Sequence, residues 1–125
     1  MLEERSALSV NKPKFARWMF RGAALYGVAA LLPLYFLPAP VDRPDVYYGF
    51  LGLALVFQWL FWIIGGDPVR FRILMLPAIA EKLIFAVPAL ALVAEGRAPR
   101  LVIPFAVMDL LLGTGFLIAR SRTAA

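Results

Sequence analysis

Two stretches of this chain, residues 22–41 and 46–66, contain no charged side chain at all. A helix rises 1.5 Å per residue, so about 20 apolar residues cross the roughly 30 Å hydrocarbon core of a bilayer. A soluble domain interrupts runs of this length with charges every few residues, because one face of each helix must meet water. Composition points the same way: of 125 residues, 62% are hydrophobic and 17% charged, and the mean hydropathy is +0.80. The expected class is an all-α, polytopic membrane protein.

Apolar runs place four spans near residues 18–37, 46–64, 71–93 and 101–119, joined into an antiparallel four-transmembrane-helix bundle. Pro38, Pro40 and Pro44 punctuate the first break, Gly65-Gly66-Asp67-Pro68 the second and Glu95-Gly96-Arg97-Ala98-Pro99-Arg100 the third. Breaks this short make sequential helices the expected neighbours. In the second, Gly65 or Gly66 is expected to end its helix in the left-handed conformation, Asp67 to cap the next, and Pro68 to occupy the first turn.

Charge gives the chain an orientation. Four spans put both termini and the second loop on one side, with Arg5, Lys12, Lys14, Arg17, Arg21, Arg70, Arg72, Arg120 and Arg122, against Arg43, Arg97 and Arg100 on the other. Basic residues accumulate in cytoplasmic loops. Residues 1–17 are therefore expected to be a cytoplasmic basic segment, 18–119 the transmembrane domain and 120–125 a cytoplasmic tail, in a bacterial inner membrane. The acidic start Met1-Leu2-Glu3-Glu4 and the long first apolar run argue for a retained span over a cleaved signal peptide. Trp18 and Trp62 would lie at the cytoplasmic interface, Tyr47 and Tyr48 at the opposite one. Phe57, Trp59, Phe61 and Trp62 fall within six residues and cannot all face one way, so some must meet lipid.

The absence of cysteine and histidine excludes disulfides, thiol chemistry and imidazole chemistry at acid, base or metal sites. A net charge of +5 and a pI near 10.1 do not imply a nucleic-acid partner, because the cations flank apolar spans instead of forming one hydrophilic patch. No phosphate loop, nucleophile elbow or acidic metal motif is present, and Gly113-Thr114-Gly115 reads as a site of close helix packing. No catalytic residue, metal or cofactor is expected. The expected partners are membrane lipids, a second copy or another membrane protein, and a lipophilic ligand.

Three residues break the apolar pattern: Glu81 and Lys82 in the third span, Asp109 in the fourth. Each central charge costs roughly 2.5–3.5 kcal/mol on insertion scales, so such residues need partners inside the bundle. Lys82 is ten residues from Arg72 and Asp109 eleven from Arg120, which puts both about 15–17 Å from the same boundary. Ala78, Ala86 and Ala89 share the Lys82 face, and Ala106 and Gly113 share the Asp109 face, so the backbones can approach and an ion pair form. Glu81 points about 100° away from Lys82. It is expected to stand apart, with Gln58, Tyr26 or a proton as its partner, near kinks at Pro77 and Pro88.

The run Asp67-Pro68-Val69-Arg70-Phe71-Arg72, with Glu81-Lys82 in the third helix and Asp109 in the fourth, resembles a group of small bacterial four-helix membrane proteins of unassigned function. That resemblance covers roughly residues 20 to 119, the span of four helices. It implies a fold and no activity. A similarity to DoxX-like four-helix proteins rests on architecture. Small multidrug transporters share the size, but their essential carboxylate lies in the first helix, where this sequence has none. In the turn, Asp67 and Pro68 are expected to start a helix while Arg70 and Arg72 meet anionic headgroups. The expected function is a non-enzymatic structural or accessory membrane module held by the mid-membrane polar cluster. The alternative is a carrier or proton-coupled transporter of a lipophilic small molecule.

Overall fold

The computed structural model describes residues 14–123. The expectations for Arg5 and Lys12, and for most of the N-terminal basic segment, lie outside the described residues. Within them the chain is four long helices: α1 (Lys14–Leu31), α2 (Pro44–Gly66), α3 (Met75–Ala94) and α4 (Val102–Arg122). With the short 3-10 segments Leu32–Phe36 after α1 and Arg72–Leu74 before α3, all four are long and apolar enough to cross a membrane. The protein is an all-α, multi-pass membrane protein.

The helices pair as two hairpins. α1 packs along α2 and α3 along α4, the two hairpins meet chiefly where α1 crosses α4, and α2 touches α3 only slightly. The expectation that every short loop joins packed neighbours therefore fails at the second loop. Its physical reason lies in the side chains available: α1 carries the small buried residues Ala16, Ala23 and Ala24, whereas α2 and α3 confront each other with Phe50, Phe57 and Phe85.

Gly65 and Gly66 are helical, and among the described residues the positive φ belongs to Gly96 alone, at 73°. Gly65 serves a different need. A Cβ there would lie 3.2 Å from the Arg21 backbone nitrogen and 3.3 Å from the Arg17 carbonyl oxygen, so its hydrogen lets α1 and α2 touch backbone to backbone. The left-handed cap is instead at the end of α3. There Gly96 N–H donates to Val93 O at 3.0 Å and Arg97 N–H to Leu92 O at 2.8 Å, the paired bonds of a Schellman motif.

Asp67 caps a turn and not the helix expected of it: its Oδ1 accepts from Arg70 N–H at 3.4 Å and its carbonyl from Phe71 N–H at 3.1 Å, whereas α3 begins after Leu74 without a side-chain cap. Pro68 follows it and is fully buried. The turn then passes through the 3-10 segment, so α3 begins at Met75 and not at 71. Pro77 consequently falls in the first helical turn, where its missing N–H has no partner to lose, and it has no reason to kink the helix. Pro88 is the proline inside α3. α1 is already helical at Lys14, four residues before the expected span, and α4 runs to Arg122, into the expected tail.

At the far end, Tyr35 and Tyr48 stack with centroids 5.7 Å apart. Tyr35 Oη donates to Tyr48 O at 3.2 Å, and Tyr48 Oη to Leu37 O at 2.9 Å. These bonds clasp the first loop to the start of α2. Beneath the opposite end, Phe20, Phe61 and Phe116, all fully buried, bring α1, α2 and α4 together, with Phe20 stacked on Phe116 at 4.1 Å and Phe61 against Phe116 at 4.9 Å.

Candidate functional site

Two features of α3 and α4 build the polar site. Ala78 and Ala86 on α3 and Ala106 on α4 are fully buried, and a Cβ on Gly113 would lie 3.2 Å from Lys82 Cβ. Small side chains thus bring the backbones close enough for Lys82 to lie in the seam with 4% of its surface exposed. Its Nζ donates to Asp109 Oδ1 at 3.3 Å. The expected interhelical ion pair is present.

Glu81 does not stand apart. Its Oε2 lies 3.5 Å from Lys82 Nζ, so one ammonium is shared by two carboxylates. The 100° between adjacent helical positions separates Cβ atoms, but four methylenes let the lysine head swing back toward its neighbour. The longer contact is too long for a hydrogen bond, and Glu81 Oε2 has no hydrogen-bond partner. Neither expected partner reaches it. Gln58, 2% exposed, donates from Nε2 to Ala54 O at 2.8 Å, and its Oε1 fills the space a Cβ on Gly27 would need. It is engaged between α1 and α2. Tyr26 is exposed on α1 and has no hydrogen bond to the three charges among the described residues.

A fourth member comes from α2. Phe61 presents its ring 5.1 Å from Lys82 Nζ, a cation–π contact between two buried side chains. Phe61 is fully buried, Phe57 is half-buried, and Trp59 and Trp62 face outward, as the crowding of four aromatics requires. A phenylalanine in an apolar span gives no sign in sequence that it will meet a cation. The three-helix site is thus Phe61, Glu81, Lys82 and Asp109, with the phenyl cluster on one side.

Glu81 also has a second face. Where α2 and α3 part, a groove of about 640 Å³ opens, lined by Phe50, Leu53 and Phe57 of α2 and by Pro77, Ile84 and Phe85 of α3 among others. Glu81 is its charged lining residue, while Lys82 and Asp109 lie behind it.

The basic turn has its own geometry. Arg72 Nε donates to Thr123 O at 2.9 Å and so ties the second turn to the end of α4. Arg70 is exposed and leans over Phe71 at 5.2 Å, and Arg21 lies over the Trp62 ring at 4.0 Å. Among the described residues no three acidic, His or Cys side chains converge to hold a metal.

Helices and charges together define a multi-pass helical membrane protein with a shared-lysine cluster between two carboxylates. No family model, curated protein or solved structure matches the chain.

Proposed function

We propose that this protein is a small, non-enzymatic structural or accessory module of the bacterial cytoplasmic membrane, with both termini in the cytoplasm. The observation that carries the reading is Lys82, buried and held by both Asp109 and Glu81. Through Asp109 the buried cation fastens α3 to α4, while Glu81 holds it from within α3. Sidedness rests on the cations: Lys14, Arg17, Arg21, Arg70, Arg72, Arg120 and Arg122 at one end of the bundle, Arg43, Arg97 and Arg100 at the other. The outward faces of Trp59, Ile84 and Leu111 leave room for lipid, a second copy or a membrane partner.

Complementation tests the module reading. A strain lacking the protein should be rescued by the double variant Lys82→Met/Asp109→Leu, which removes the interhelical fastener with the desolvation cost of that pair and leaves Glu81 at the groove. A double variant that inserts and folds but fails to rescue would make the pair a working site.

The groove favours a second reading, a binder or carrier of a lipophilic small molecule. Its volume lies within the range of about 300–1,000 Å³ common to small-molecule sites, and one polar group on an apolar wall is their usual pattern. Mass spectrometry of the protein extracted with its own lipids should find one lipophile retained in stoichiometric amount.

A further inference from the structure

The α2/α3 groove carries an imbalance of charge. Two carboxylates, Glu81 and Asp109, share Lys82, so the cluster has one carboxylate more than it has cations. The surplus sits on the groove side. Lys82 is closer to Asp109, at 3.3 Å, than to Glu81, at 3.5 Å, and of the three charged residues Glu81 is the one that lines the groove. The neighbouring amide of Gln58 is already given to Ala54 O. In hydrocarbon a carboxylate without a full counter-charge is costly, and whatever enters the groove with a positive donor relieves that cost.

The remaining walls select the body that carries this charge. Phe50 and Phe85 stack across the groove with centroids 5.8 Å apart, and Phe57 adds a third ring. Aromatic faces accept both flat apolar bodies and the cations attached to them. A second copy of the chain fits less well, because the exposed polar side chains it would offer mid-span, Tyr26 and Thr114, are neutral.

We propose that the α2/α3 groove binds a lipophilic monocation, an aromatic or alkyl amine whose protonated nitrogen meets Glu81 while its apolar body lies along Phe50, Phe57 and Phe85. This inference rests on the binder reading above and names its ligand class.

The full chain, reconstituted in phosphatidylcholine nanodiscs, is titrated with tritiated imipramine, a tricyclic whose alkylamine side chain is protonated, and with iminodibenzyl, the same ring system without that basic side chain. Imipramine should bind saturably. Glu81→Gln should weaken it about tenfold or more, the equivalent of one charge-assisted hydrogen bond, and iminodibenzyl should be weaker than imipramine by a similar factor. Leu53→Trp, which fills the groove without touching the charges, should abolish binding. Equal binding of both compounds, unaffected by Glu81→Gln but lost with Leu53→Trp, would overturn the cation and leave the binder reading standing. Absence of saturable binding by either, with a photo-crosslinker at position 53 capturing a second copy, would overturn both.

Discussion

Lys82 has two carboxylates within reach, so the three charges are not equivalent under substitution. Lys82→Met strands both Glu81 and Asp109 and should cost about 3–5 kcal/mol, the usual cost of removing one partner from a buried pair. Asp109→Leu leaves Glu81, already 3.5 Å from Nζ, to take over, and should cost measurably less. Glu81→Gln keeps the Lys82–Asp109 bond and should stay within about 1.5 kcal/mol. The double variant Lys82→Met/Asp109→Leu should recover part of the larger single loss, the share of Asp109, because Glu81 is still left without its cation. Equilibrium unfolding in bicelles measures all four, and strictly additive losses would remove the coupling. These charges were legible in the sequence because a charge is conspicuous in an apolar helix, and equal distances from flanking arginines set their depth. Their sharing was not legible: residue spacing fixes where a Cβ points, whereas a lysine head ranges over several ångströms. Phe61 was hidden for the opposite reason, since one phenylalanine among many carries no mark of its neighbour.

At the level of elements, glycines decide how helices end and how closely they cross. Gly65→Ala should push α1 from α2, because the atoms its methyl would meet include backbone, and should cost about 1–3 kcal/mol as overpacking does. Gly96→Ala should cost about 1 kcal/mol or more, because its φ of 73° is unfavourable for any residue with a Cβ. Gly22→Ala, with open space around it, should be neutral or slightly stabilising through helix propensity. Thermal unfolding in detergent ranks the three. The four helices themselves were legible from apolar length, and Asp67 as a capping residue from its type, although it caps a turn and not α3. The role of each glycine was not, because a glycine needed for a left-handed cap and one needed for a helix crossing look the same in sequence. Pro77 shows a related limit: whether a proline kinks a helix depends on where the helix starts, and the turn and 3-10 residues after Asp67 moved that start to Met75.

On the scale of the whole molecule, the chain folds as two hairpins joined through α1 and α4, with the groove left between α2 and α3. Spans and charge bias were open to sequence reading, but which helices pair was not, because loop length limits distance without choosing a neighbour. The sidedness is testable in a chain that lacks cysteine. Single cysteines at Asp45 and Gly96 should react with an impermeant maleimide from outside the cell, and one at Thr123 only after the membrane is opened. Reaction of the Thr123 position in intact cells would reverse the topology. That one buried ammonium serves both carboxylates can be observed directly, because Lys82 is the lysine within the bundle seam, the other two being Lys12 and Lys14. Solid-state NMR on the protein in lipid bilayers, with nitrogen-15 lysine and carbon-13 carboxyl labels on aspartate and glutamate, measures dipolar coupling from Lys82 Nζ to each carboxyl carbon. Close coupling to one aspartate and one glutamate is the predicted result, whereas coupling to the aspartate alone, or to neither, would contradict it.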